Sequence, residues 1–283
     1  MVERAGVLGV EQRLDLATDV MPGMGVHSAF GHRTGLGVGV EADLWRGAAL
    51  RRPLPLAAKA MEVVSTSGGD SFLVGAGAQL ALVEFIDENG DWRQSDLLPM
   101  FGLTPTDVTY KPTDGVLGDT TRPPLTPTPP GAGSVVASIF RVQTALIVVA
   151  AAPTEADPYR SNVGTVSVQG AGAGVVFEVI PAGKGRSRSG AFHIPRGMTG
   201  RLTTAAAATE RGSAEISIAV NFGLGTAWQD LPVASLNDDT VLYRGDPPAT
   251  PIAPRADLQA RVKSGSNNVD VFWLLQFRLS MLA

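Results

Sequence analysis

Carboxylates at short spacing are the residues in this sequence whose types could carry a reaction: Asp87, Glu88 and Asp91 in one cluster, Asp238 and Asp239 in another. Acid-base chemistry needs two carboxylates held a set distance apart in a cleft, with apolar walls to raise one of them. Both clusters instead lie among Gly, Asn and other acids, which predicts solvated turn residues of ordinary acidity. The histidines are His27, His32 and His193, and only the first two are close in sequence. A metal centre requires three or four ligands and partners behind them, and no acidic residue at a recognised spacing completes such a set. His193, beside Phe192 in a short apolar stretch, reads as a satisfied sheet or interface histidine. There is no cysteine, so no thiol nucleophile and no thiolate ligand, and no Gly-x-Ser-x-Gly elbow.

Two glycine-rich stretches invite comparison with phosphate-binding loops. Gly183-Lys184-Gly185-Arg186-Ser187 has the lysine, but it lacks the four-residue spacing before Gly-Lys-Ser and a following helix. Val74-Gly-Ala-Gly77 is a Gly-x-Gly without the third glycine or a helix. A hairpin turn and a close strand approach are the expected roles. No catalytic, cofactor-binding or metal residue is expected.

The elements that must position these residues are strands. Ile180-Pro-Ala-Gly-Lys-Gly185 and Ile194-Pro-Arg-Gly-Met-Thr-Gly200 place a fixed-φ proline two residues before a glycine able to take φ > 0, so each ends one strand and opens another. Ala191-Phe192-His193-Ile194 is the short strand between them. With 33 Gly and 20 Pro in 283 residues and no collagen-like period, the chain reads as a turn-rich all-β protein. The fold class expected is antiparallel β-sandwich or jelly-roll-like units, an extended N-terminal arm and few short helices.

Along the chain, residues 1–40 form the arm. Glu11 to Val20 has the pattern of about two helical turns, and its apolar residues require burial against a neighbouring subunit or back on its own domain. Residues 41–110 form a first β unit, in which Met61 to Ser67 and Val74 to Ile86 flank a Gly68-Gly69-Asp70 turn as a hairpin. Asp87-Glu-Asn-Gly90-Asp91 is a second hairpin turn leading into Trp92. Residues 111–133 belong to a Pro/Thr-rich connection beginning near Thr104. Residues 134–225 form a β-sandwich domain and 226–283 a C-terminal extension ending in the strand Val269 to Leu279.

A net charge of -4 without a Lys/Arg stripe gives no nucleic-acid footprint. The longest apolar run, Ala145 to Ala152, is far short of the ~20 residues a membrane helix needs. The first residues lack the basic-then-apolar pattern of a secretory signal, so synthesis in a cytoplasm is expected.

Five pieces occur in a succession that resembles small virion structural proteins of tailed double-stranded DNA bacteriophages. They are His27-Ser-Ala-Phe-Gly-His32 followed by Glu41-Ala-Asp-Leu-Trp45; Val63-Val-Ser-Thr-Ser67 with Asp70 and Gly75-Ala-Gly-Ala78; Ile139-Phe-Arg-Val142; Ser161-Asn-Val-Gly164-Thr-Val; and the two Ile-Pro-x-Gly turns. The resemblance covers about Val26 to Leu202. It implies a non-enzymatic particle component of the head-decoration, head-fibre, neck or tail-fibre type. An apolar arm at one end and an apolar strand at the other suit a component that locks onto its neighbours, so homo-oligomerisation is expected, a trimer first, with capsid, portal or neck proteins as partners and no cofactor, nucleic acid or membrane. The long Pro/Thr segment and the last eighty residues depart from the pattern. A tail-fibre receptor- or carbohydrate-binding β protein is the alternative, although four Trp and three Tyr make a poor aromatic platform.

Overall fold

The computed structural model describes residues 24–117, 129–150, 161–172, 174–187, 189–209, 212–222, 228–237, 240–244 and 251–281. Among them every regular element is a strand and every strand pair is antiparallel, so the protein is all-β. The predicted helix at Glu11–Val20 and the acidic pair Asp238 and Asp239 lie outside the described residues.

The chain builds one sandwich, leaves it to build a second, and returns. It begins with β1 (Met24–Leu36) and β2 (Glu41–Asp43). The excursion contains β3 (Met61–Ser65), β4 (Ala78–Asp87), β5 (Trp92–Gln94), β6 (Leu98–Pro99), β7 (Thr106–Asp107) and β8 (Thr109–Tyr110). It continues through β9 (Val135–Val136), β10 (Ile139–Ala150), β11 (Val166–Gly170) and β12 (Val176–Ile180). The return supplies β13 (Ala191–His193), β14 (Met198–Thr209), β15 (Ser213–Asn221) and β16 (Gln229–Asn237). It finishes with β17 (Thr240–Arg244), β18 (Asp257–Ser264) and β19 (Val269–Met281).

The outer sandwich packs a sheet of order β1-β19-β14-β17 against one of order β13-β18-β15-β16, in which β2 also pairs with β18. Its core includes Leu44, Phe192, Ile216, Ile218, Leu258, Val271 and Trp273. The inner sandwich packs β10-β4-β5, with β6 on β4, against β12-β11-β3-β7. Met61, Val63, Phe85, Leu98, Ile139, Val166, Val168 and Phe177 fill it. Period-two alternation explains the facing: β3 and β11 both bury every second residue, which puts Met61, Val63, Val166 and Val168 on one face. Burial of such side chains contributes roughly 1.5–3 kcal/mol each, against the entropy of ordering the strands.

Several local expectations change. Met24–Leu36, placed in the arm, is a 13-residue strand beside β19. Residues 61–86 do not form a hairpin: β3 pairs with β11 and β7, while β4 pairs with β10, β5 and β6, so the two strands sit in facing sheets. The loop between them, 66–77, is therefore a crossover between layers, and its first described strand residue after the turn is Ala78 rather than Val74. Strands from 41–110 and 134–225 share sheets, and β18 and β19, from the segment read as an extension, lie inside the two sheets of the outer sandwich. The Asn89-Gly90 hairpin forms as read, with Ile86 opposite Trp92 and Gly90 at φ 86°. Both Ile-Pro-x-Gly turns also form, with Gly183 and Gly197 at φ 70° and 78°. In each the proline carbonyl accepts the closing bond, from the Lys184 and Met198 amides respectively.

Candidate functional site

Among the described residues, a dense polar cluster lies where the inner sandwich meets the outer one. Arg141, near the start of β10, donates from Nε to Asp257 Oδ1 and from Nη2 to Asp257 Oδ2, both at 2.9 Å. Its remaining nitrogen bonds the carbonyls of Pro55 at 2.6 Å and Phe140 at 2.9 Å, and the guanidinium stacks over the Phe140 ring at 3.8 Å. Asp257 opens β18 in the outer sandwich and also faces His193 Nδ1 at 2.7 Å. The Gln143 side chain pairs with the backbone of His193 in both directions, donating to its carbonyl at 2.6 Å and accepting from its N–H at 3.0 Å. A β10 side chain thus substitutes for a neighbouring strand.

Arg52 anchors a second arm of the cluster. It is buried and donates to Phe177 O and Val142 O, each at 2.8 Å, and lies 3.0 Å from the fully buried Glu178. Its backbone N–H donates to Asp43 Oδ2 at 2.7 Å. Burial pushes the Glu178 carboxyl above its ordinary value, with Arg52 pulling the other way. Burial would raise Asp257 too, but the hydrogen bonds from His193 and Arg141, together with their charges, bring it down to about 2. Buried charges are tolerated here because each has a counter-charge beside it, with several hydrogen bonds on Arg52, Arg141 and Asp257 and one from Val179 N on Glu178. The space among Arg52, Arg141, Gln143, His193 and Asp257 is about 10 Å³, the room of one water. His193 Nε2 is buried there without a partner among the described residues. This geometry holds two layers together and has no volume for an organic substrate.

A second polar knot closes the far end of the inner sandwich. Asp70 is buried and accepts four bonds, from Ser65 Oγ at 2.5 Å, Ala78 N at 2.8 Å, Val163 N at 2.7 Å and Gly164 N at 2.8 Å. Asn162 donates to the carbonyls of Gly164, Ile180 and Pro181, and its own oxygen accepts from Gly185 N. The two residues tie together Val63–Ser67, Gly75–Ala78, Ser161–Val166 and Ile180–Gly183, four of the segments singled out in the sequence. Glycine is required at Gly77 because a Cβ there would stand 2.2 Å from Asp70 Oδ1.

The sequence-predicted candidates separate. Asp87 is corrected: it is 2% exposed, not solvated. Its Oδ1 accepts from the N–H groups of Asn89 and Asp91 and its Oδ2 from Arg93 Nε at 3.0 Å, an Asx-type brace of the hairpin. Glu88 is exposed and Asp91 half-buried beside Arg196 and Arg93. His32 is buried in β1, stacked on Phe272 at 3.9 Å with Arg46 at its Nδ1. His27 sits earlier on β1 opposite Phe277, and His193 lies in the other sheet. Among the described residues no three His, Asp or Glu side chains gather at metal-binding distance. In 183–187 the amides of Gly183, Lys184, Gly185 and Ser187 all bond protein oxygens, so no anion cradle is left. Sequence reading missed Arg52, Glu178 and Asp257. A signal was present for Glu178: a single charge inside the apolar run Val175 to Ile180 demands a buried counter-charge.

No protein family profile matches the chain, and no curated protein matches it. Among solved structures it shows slight similarity to infectious bursal disease virus. The Gx strain structure aligns at 10% identity and TM-score 0.17, covering 90% of this chain and 70% of that one. The T=1 particle derived from the same virus aligns at 9% and 0.14, covering 96% and 83%. Values this low establish no common fold.

Proposed function

We propose that the chain is a non-enzymatic structural component of a tailed-bacteriophage particle, on the capsid surface, as a head fibre or at the neck, assembling through contacts with its own copies and with other virion proteins. One observation supports the reading most: the side chains best suited to chemistry are spent on bracing backbone. Asp70, Asn162, Arg141 and Asp257 each hold two or more segments in place, and Asp87 braces its own hairpin. Motifs that resemble virion proteins converge on those braces, which is where a scaffold rather than a reaction would need invariant geometry.

The test is location and activity together. Quantitative mass spectrometry of particles purified from the phage that encodes this chain is expected to find it at a fixed stoichiometry to the capsid protein. Incubation of the protein with host capsule or lipopolysaccharide is expected to release no reducing sugar. Absence from the particle, or sugar release lost on Asp87→Asn or Asp91→Asn, overturns the assignment.

A further inference from the structure

The pocket at the junction of the two sandwiches contains two buried nitrogens that the bracing does not use. β13 pairs with β18 so that His193 stands opposite Asp257 and Ala191 opposite Gln259. Alternation therefore puts His193, Asp257 and Gln259 on one face and Phe192 and Leu258 on the other. Phe192 and Leu258 lie in the outer core, so the polar face looks toward Arg141 and Gln143 of β10 and toward Arg52. His193 and Gln259 are 2% and 4% exposed, and both line the same space of about 10 Å³, with Leu54 and Trp228 as apolar walls. Neither His193 Nε2 nor Gln259 Nε2 has a partner among the described residues.

The hydrogen-bonding roles of these two nitrogens follow from their neighbours. Asp257, whose carboxyl is held down at about 2, is a carboxylate and can only accept, so the proton between it and His193 belongs to Nδ1. A neutral imidazole protonated there presents Nε2 as an acceptor. A second proton would place a third cation beside Arg52 and Arg141, whose counter-charges Glu178 and Asp257 are already taken. Gln259 Nε2 is an amide nitrogen and can only donate. The pocket thus offers one acceptor and one donor in the room of one water. Leaving either of them unpaired in the interior is costly.

The geometry points to a bound water at this place, one molecule that donates to His193 Nε2 and accepts from the Gln259 amide. A cation would be repelled by Arg52 and Arg141, and both Asp257 oxygens already accept hydrogen bonds, Oδ1 from Arg141 and His193 and Oδ2 from Arg141. An anion matches the Gln259 amide but meets the lone pair of His193 Nε2. Water both donates and accepts within that volume. It adds a further tie to the junction, beside the ion pairs and the Gln143 side chain, and fixes the His193 ring through both of its nitrogens. Such a water belongs to the folded chain whatever particle the chain joins, so it stands or falls apart from the virion assignment.

A crystal structure of the full chain at neutral pH, at a resolution that shows ordered water, is expected to place one water within hydrogen-bond distance of both His193 Nε2 and the Gln259 amide. Crystals soaked in bromide are expected to give no anomalous peak there. Proton–nitrogen spectra of the isotope-labelled chain at the same pH are expected to show His193 protonated at Nδ1 and bare at Nε2. Oxygen magnetic relaxation dispersion is expected to count one long-lived water fewer in Gln259→Leu, with an unchanged circular dichroism spectrum. A dry pocket, a water touching only one of the two groups, a bromide peak, a proton on Nε2, or an unchanged count in folded Gln259→Leu overturns the inference. The first three measurements use the unaltered chain, so they decide the matter even if Gln259→Leu fails to fold.

Discussion

Arg141 and Asp257, 116 positions apart in sequence, meet as a two-bond fork across the junction of the two sandwiches, with His193 on the same carboxylate. Breaking one side of a buried pair leaves the other charge stranded, which costs about 3–5 kcal/mol. Asp257→Asn is therefore expected to lower unfolding stability by that order in urea titrations. Adding Arg141→Met to it is expected to cost less than the sum of the two single changes, since the stranded cation is gone.

Acid sensitivity follows from the same carboxylate. Asp257 falls from an ordinary 3.8 to about 2 in the folded protein, so its stabilisation is complete above the unfolded value and is lost as pH falls through the folded one. That is worth roughly 2 kcal/mol at neutral pH. Denaturation curves between pH 5 and 2 are expected to show the loss in the wild type and a flatter profile in Asp257→Asn.

Glu178 has the opposite sign. Burial raises its carboxyl above 4.5, so the folded state favours the proton, and stability from this group is present below 4.5 and declines as pH rises through the raised value. Glu178→Gln is expected to remove that decline. An identical pH profile in the variant would show that Arg52 fully offsets the burial.

Asp70 is the keystone of the distal loops. Asp70→Ala leaves the Ser65 hydroxyl and the Ala78, Val163 and Gly164 amides without their acceptor, a loss of about 3 kcal/mol or more. Limited proteolysis is expected to cut within 66–77 and 161–165 in the variant but not in the wild type.

Gly77→Ala probes the same knot by steric means. Its methyl would press on Asp70 Oδ1 at 2.2 Å and Val163 N at 2.9 Å, an overpacking worth about 1–3 kcal/mol. Gly131→Ala, whose added carbon meets only Pro129 O at 3.9 Å, is the control and is expected to leave the thermal midpoint unchanged.

Strands, turns and the hairpin at Asn89-Gly90 were legible in the sequence because each is set by residues within a few positions: proline fixes φ, glycine takes the left-handed conformation, and alternation fixes the faces. Partnership was not legible. Alternation in Met61–Ser65 says which side is buried but not that the neighbour is Val166–Gly170, a hundred residues on, and so β3 and β4 read as a hairpin. Asp87 looked solvated because its flanking residues are polar. Its burial comes from the turn folding around it, with the Arg93 guanidinium and the Asn89 and Asp91 amides closing over the carboxylate. His193 was placed correctly on a short strand, but nothing nearby announces Asp257, since the two meet only when β13 pairs with β18.

The place where the chain leaves the outer sandwich adjoins the place where it returns: Gly190 N donates to Leu44 O at 2.7 Å. Every strand of the inner sandwich falls between those two points, so during synthesis it can close without waiting for later residues. The outer one cannot. β1 finds its partner only when Val269–Met281 has emerged, more than two hundred residues after Leu36, a delay of roughly ten to fifty seconds at ordinary translation rates of 5–20 residues per second. For that interval the nascent chain carries an unpaired thirteen-residue strand, beside a finished sandwich once Ile180 has emerged, and the yield of correctly folded protein depends on how well that strand is kept from pairing with the same strand on a neighbouring nascent chain.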